Sequence, residues 1–333
     1  MSNQIRAILY LLLVSTIWGL SFPIGRHALD TLSPLALSGF RYLFGALAVL
    51  PLAWRQRWRQ PVSGYLGEDH PLLWLKAGLI GGTLMTIGTV LQMYGLANTT
   101  AGKAGFMTTL YLSLVPVLAF VIGHIPRLLV WISLGVGLAG LFLLTGAGGG
   151  DEGGLSKTDG LILVADVFWA VQVLVTGRYA LRVNTWLFSF AQTFTCCVQS
   201  LILTVFFGEL PTWHEFVVTL PATAWGIFSV GLAFTLQTIA QRHTSSTSAA
   251  LILPLQAVVG AVAGVIFLGE HMTRIMIIGA AILMGGSLMA QFAKEPIRIR
   301  RGDKGSGAIM VLRWAVGGLI AIGSIFLTIR AVI

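Results

Sequence analysis

Runs of about 20 apolar residues recur along this chain with only short polar breaks between them, and a run of that length is what a helix needs to cross roughly 30 Å of hydrocarbon. The runs cover residues 5–25, 34–54, 72–97, 101–122, 128–146, 159–178, 185–207, 221–241, 247–268 and 272–292, with an eleventh at 308–329. The breaks hold ordinary loop residues, among them Ser33-Pro34, Asn98-Thr99-Thr100, Asn184-Thr185 and Pro211. Composition agrees, with 56% of residues apolar and 10% charged where a water-soluble domain carries about a quarter charged. The expected class is an all-α integral membrane protein without a soluble domain. Arg6 ahead of the first run gives it the look of a signal peptide. No Ala-x-Ala-like cleavage site follows Ile17 to Pro23, so the run is read as the first helix.

A net charge of +9 would suggest nucleic acid for a soluble chain. Here Lys and Arg gather at the ends of apolar runs, where they report topology and not a nucleic-acid partner. With the N-terminus inside, one side of the membrane holds Arg6, Arg55, Arg57, Arg59, Lys76, Arg127, Arg178, Arg182, Arg242, Lys294, Arg298, Arg300, Arg301 and Lys304, a total of 14. The other side holds Arg26, Lys103, Lys157 and Arg274, and Arg41, Arg313 and Arg330 complete the 21. Because cytoplasmic loops are enriched in these residues, the bias supports both the segmentation and a cytoplasmic N-terminus. Cys196 and Cys197 are adjacent inside one run and have neither disulfide nor metal-ligand spacing. Neither a metal nor a cofactor is expected.

The chain also repeats. A shift of 145 places Leu91-Gln92 on Leu236-Gln237, Thr99-Thr100 on Thr244-Ser245, Ala104-Gly105 on Ala249-Ala250 and Ile132 on Ile277. Nearer the start the shift drifts to 151, where Trp18 meets Trp169, and loop length absorbs the drift. Five helices is an odd number, so the second half must enter the membrane upside down relative to the first. The expected architecture is ten transmembrane helices as a 5+5 inverted repeat, in halves 1–147 and 148–293, followed by a basic linker and an additional helix within 294–333. An interfacial helix anchored by Arg313 and Trp314 is the alternative for that last segment.

Trp18-Gly19 in the first helix, Ser33-Pro34 leading to Phe40-Arg41-Tyr42, the small-residue start of the fourth helix, and Phe267-Leu268-Gly269-Glu270 closing the ninth form a recognisable set. Over residues 5–292 the chain resembles the drug/metabolite transporter superfamily, and within it the EamA-like exporters. The resemblance implies a central cavity, the fifth and tenth helices at the periphery, and outward movement of amino acids or other small organic solutes across the bacterial inner membrane. The first half departs from the pattern at Gly123-His124-Ile125-Pro126-Arg127, which stands where the second half has Gly269-Glu270.

Charge inside a membrane helix costs about 2.5 to 3.5 kcal/mol on insertion scales, so such residues face a bundle interior or a water-filled path. Arg41, in the second helix, is suited to a substrate carboxylate or phosphate, or to a structural pairing with carbonyls of a neighbouring helix. Asp166 lies one turn from Trp169. It is suited to a cation or a proton, which makes proton coupling an expectation, or to service as the partner of Arg41. Gln92 and Gln237 at equivalent repeat positions, with Gln172, Gln192, Gln199 and Gln256, offer amides that donate and accept without fixing a charge. Interhelical bonding, worth about 0.6 kcal/mol each, is the rival reading for any one of them. Tyr94, Tyr111, Trp18 and Trp169 would supply aromatic walls. Pro116 and Pro254 are candidate hinges in the fourth and ninth helices.

Apparent enzyme motifs fail on context. Gly135 to Gly140 spells a dinucleotide pattern inside an apolar run, where close helix packing explains it. Gly102-Lys103-Ala104 lacks the rest of a phosphate loop, and the six histidines show no HExxH spacing. The expectation is a secondary transporter with a small-molecule substrate and membrane lipids around it. An integral-membrane enzyme acting on lipid or isoprenoid substrates is the alternative, which an acidic or histidine cluster at one interface would favour. No ATP-binding domain is visible, so primary active transport would need a partner chain.

Overall fold

A computed structural model describes residues 3–56, 72–121, 124–125, 127–144, 156–179, 182–240, 252–292 and 297–298. Ten helical units follow one another among them. The first three are α1 (Asn3–Ala28), α2 (Pro34–Gln56) and α3 (Leu73–Leu96). The fourth is split into α4 (Ala101–Thr108) and α5 (Leu110–Val121), and the fifth to seventh are α6 (Leu128–Leu144), α7 (Lys157–Tyr179) and α8 (Thr185–Phe206). The eighth runs through α9 (Trp213–Ala224), a π-helical turn (Ile227–Leu232) and α10 (Ala233–Ala240), and α11 (Leu255–Leu268) and α12 (Arg274–Gln291) close the series. A two-residue antiparallel pair, β1 (His124–Ile125) with β2 (Ile297–Arg298), links the end of the fourth unit to the chain beyond α12. The eleventh apolar segment at 308–329 and most of its basic linker lie outside the described residues, as do the repeat matches at 244–250.

Local chemistry sets the boundaries. Thr100 caps α4 by accepting from Lys103 N, and Asn184 caps α8 by accepting from the backbone N–H groups of Trp186 and Leu187. Thr212 and Glu215 form a capping box that starts α9 at Trp213. The eighth helix therefore begins well before the expected residue 221, because a polar first turn hides its start from a hydropathy window. The fourth helix breaks at Thr109, whose hydroxyl donates to Phe106 O at 2.7 Å, and not at Pro116, which α5 carries in its interior. Pro254 stands at the N-cap of α11, where a missing N–H costs nothing.

Six of these units are long and apolar enough to cross a membrane by length and composition, and α6, α11 and α12 are shorter apolar helices. Leu47, Trp54, Leu79, Phe142, Ile266 and Phe267 are exposed on their outer faces. Such an apolar surface suits lipid and would be a liability in water. Inside, hydroxyls of Ser15, Thr86, Thr108 and Thr235 donate to carbonyls four residues earlier, so the apolar interior carries them without loss of hydrogen bonds.

Packing pairs α1 with α11 and α10, α2 with α8 and with the π-helical turn, α3 with α7 and α8, α4 with α11, α5 with α7, and α6 with α12. The glycine-rich run of α6 accounts for the last pair: a Cβ on Gly140 would collide with the backbone N of Leu283, and one on Gly279 with that of Leu144. The dinucleotide-like pattern is thus a helix-packing surface. One apolar cluster holds Phe22, Ala28, Leu96, Ala104 and Ala261, and another holds Leu11, Val14, Leu112, Ala240 and Leu253. Along α1 these clusters lie on opposite sides of Trp18 and Ser21, and the polar interior lies between them.

Candidate functional site

A cavity of about 710 Å³, its open mouth included, occupies that interval. Its lining comes from α1, α2, α3, α4, α5, α7, the π-helical turn, α10 and α11. The π-helical turn is its main architectural device. Backbone bonds of i→i+5 type widen a helix locally and are frequent at functional sites. Here the turn presents Ser229, whose carbonyl accepts from Trp18 Nε1 at 2.9 Å and whose hydroxyl accepts from Arg41 Nη2 at 3.1 Å. Just before it, Gly226 packs against the carbonyl of Arg41 so closely that any Cβ would overlap it. Trp225 Nε1 donates to Ser21 Oγ at 2.9 Å, which pins the same segment to α1.

Arg41 is 9% exposed and lines the cavity. Besides Ser229 it reaches Met93 Sδ at 3.9 Å, its Nε has no hydrogen-bond partner, and no ion pair of the described residues includes it. Tyr42 OH and Thr89 Oγ1 share a hydrogen bond of 2.9 Å, and Gln92 Nε2 donates to Thr108 Oγ1 at 3.0 Å. Phe234 sits between two tryptophans, 5.0 Å from Trp18 and stacked at 6.1 Å and 17° on Trp169. Trp169 Nε1 is buried with no partner.

The structure brings together Trp18, Arg41, Gln92, Tyr111, Trp169, Gln237 and Gln256 on the cavity wall, and adds Tyr42, Thr89, Thr108, Ser229 and Phe234, which sequence reasoning missed. Tyr42 and Thr89 had a faint signal, since each lies within one turn of a residue already singled out. The other candidates lie elsewhere. Tyr94 follows Gln92 by two positions, about 200° around a helix, so the two cannot share a face; its hydroxyl donates to Glu209 Oε1 at 3.1 Å. Gln192 is buried against α7 and accepts from Gln172 Nε2 at 3.4 Å, and Gln199 bonds Thr83 and Thr86. These two glutamines join helices. Asp166 is fully buried behind the wall, with no hydrogen-bond partner for either oxygen and Tyr111 within electrostatic reach. It is not the partner of Arg41, contrary to one of the two expectations for it.

Away from the cavity lining, charge ties the N-terminal turn of α4 to its neighbours. Glu270 receives hydrogen bonds from the backbone N–H groups of Ala101 and Gly102, at 2.5 and 2.9 Å, at the N-terminus of α4. Gly269, with φ of 65°, makes the left-handed turn that aims Glu270 there. Lys103 Nζ meets Asp159 Oδ2 at 2.7 Å, and Asp159 has no exposed surface. The sequence placed Lys103 in the first turn of the 101–122 run and gave no sign of this pair.

A multi-pass helical bundle with a polar, aromatic-lined central cavity defines a membrane transport protein in architecture. The model of the EamA-like transporter family matches residues 5–146 and 156–291, and the chain belongs to that family, part of the drug/metabolite transporter superfamily. It is similar to an uncharacterized transporter of Archaeoglobus fulgidus, at 29% identity over 287 residues, 85% of this chain and 84% of that protein. A crystal structure of a protein 20% identical to this chain superposes with a TM-score of 0.60 over 85% of this chain and 96% of its own, which shows a shared fold. The protein is a multi-pass membrane transporter.

Proposed function

We propose that this protein is a secondary active transporter that exports small organic metabolites across the bacterial inner membrane, with its N-terminus in the cytoplasm. One observation carries the reading. Trp18 and Trp169, equivalent in the repeat, flank one Phe234, and the equivalent Gln92 and Gln237 line the same cavity. A solute there is held by both five-helix halves, 1–147 and 148–293, and either side can open if one half rocks on the other. The packing supports the inverted repeat. Exchanging each helical unit for the one five places on turns the first-with-ninth contact into the sixth-with-fourth and the second-with-eighth into the seventh-with-third, while second-with-seventh, fourth-with-ninth and fifth-with-tenth map onto themselves.

Asp166 is where we place proton coupling. Uptake of a proton gives this buried carboxyl a donor as well as acceptors, and Tyr111 beside it faces the solute. The test is efflux and uptake of a panel of radiolabelled amino acids and small metabolites in proteoliposomes, with and without a pH gradient. Saturable flux that follows the gradient in wild type and ignores it in Asp166→Asn is the expected result. Gradient-driven flux unchanged in Asp166→Asn would remove Asp166 from the coupling, and absence of flux for every solute would count against the transporter assignment of this panel.

A further inference from the structure

Resting on the reading of the cavity as a solute site, we infer that its preferred solute is an organic monoanion, a carboxylate on an apolar, ring-bearing body without an ammonium group, held by Arg41. Among the described residues that line the cavity, Arg41 alone carries a formal charge. The residue is 9% exposed, and its neutral partners are a serine hydroxyl and a methionine sulfur. A cation withdrawn from water without a counter-ion is costly, and an anion placed on its free N–H groups relieves that cost while gaining short charge-assisted bonds. Nη1 has only the weak sulfur acceptor, and Nε, buried in the wall, has no partner at all, so the guanidinium is short of acceptors that a carboxylate would supply.

The same inventory argues against a second charge of either sign. A dianion would bring two negative charges to one guanidinium and leave one of them unpaired. A zwitterion would bring an ammonium group into a wall that holds a fixed cation and no acid, because Asp166 has no exposed surface and lies behind that wall. Ring faces are the remaining place for an ammonium. Trp18 and Trp169 both already pack on Phe234, the latter stacked. The apolar body has its own complement in Phe22, Val173, Val230 and Phe234, and the wall amides of Gln237 and Gln256 suit one further neutral polar group.

The experiment uses the full-length protein in nanodiscs at pH 7, titrated calorimetrically with three probes of one shape: 3-phenylpropionate, its neutral amide 3-phenylpropionamide, and L-phenylalanine. The acid is expected to bind at least about tenfold more tightly than either other probe, the preference that hydrogen bonds to a charged group supply. Arg41→Gln is expected to abolish the preference and Arg41→Lys to retain part of it. The ordering of the three probes on wild-type protein decides the matter even if a variant fails to fold. Equal or tighter binding of L-phenylalanine or of the amide overturns the monoanion while leaving a transporter with a different solute. Failure of 3-phenylpropionate to bind overturns it as well.

Discussion

Trp18 on α1 and Trp169 on α7 pack on the same ring, yet only one has its indole N–H satisfied. Trp18 donates to the Ser229 carbonyl exposed by the π-helical turn, whereas Trp169 Nε1 is buried without a partner. The charges differ in the same sense. α2 sends Arg41 into the cavity, and α7 keeps Asp166 behind the wall with both oxygens unpaired. α2 thus puts a charge into the cavity wall, and α7 holds buried polar groups without partners.

Breaking the charged contact between α4 and α7 should have the largest effect. Lys103→Met leaves Asp159 buried without its cation, and a loss of about 3–5 kcal/mol is expected, read as a fall in the thermal unfolding midpoint in detergent. Gly226→Ala drives a Cβ into the Arg41 carbonyl where the second helix crosses the eighth. Overpacking of that kind costs about 1–3 kcal/mol, and the same unfolding assay would detect it. Trp18→Phe removes a buried hydrogen bond worth about 1 kcal/mol. Trp169→Phe removes none, so the two matched substitutions should differ by about that amount. An equal loss for both would mean that the two tryptophans are alike in solution.

Much of this arrangement was legible in the sequence, because a membrane turns hydropathy into a direct reading of helices and makes each interior charge conspicuous. Arg41, Gln92 and Gln237 stood out for that reason. Glycine 226, the π-helical turn and the Glu270 cap were not legible. Each depends on how closely two helices approach, and apolar periodicity carries no such distance. Tyr94 was misplaced by counting its residue type without its helical phase, and the start of the eighth helix by trusting apolarity over the Thr212-x-x-Glu215 cap.

The most direct test of the account is solute flux in proteoliposomes by wild type and Arg41→Gln, with both shown to be folded by size-exclusion profile and unfolding midpoint. The account predicts saturable flux of at least one small organic acid in wild type and a loss of about 10- to 100-fold in Arg41→Gln, the worth of hydrogen bonds to a charged group. Flux that is saturable and equal in the two proteins would contradict it, because the solute would then cross without meeting the cavity's charge.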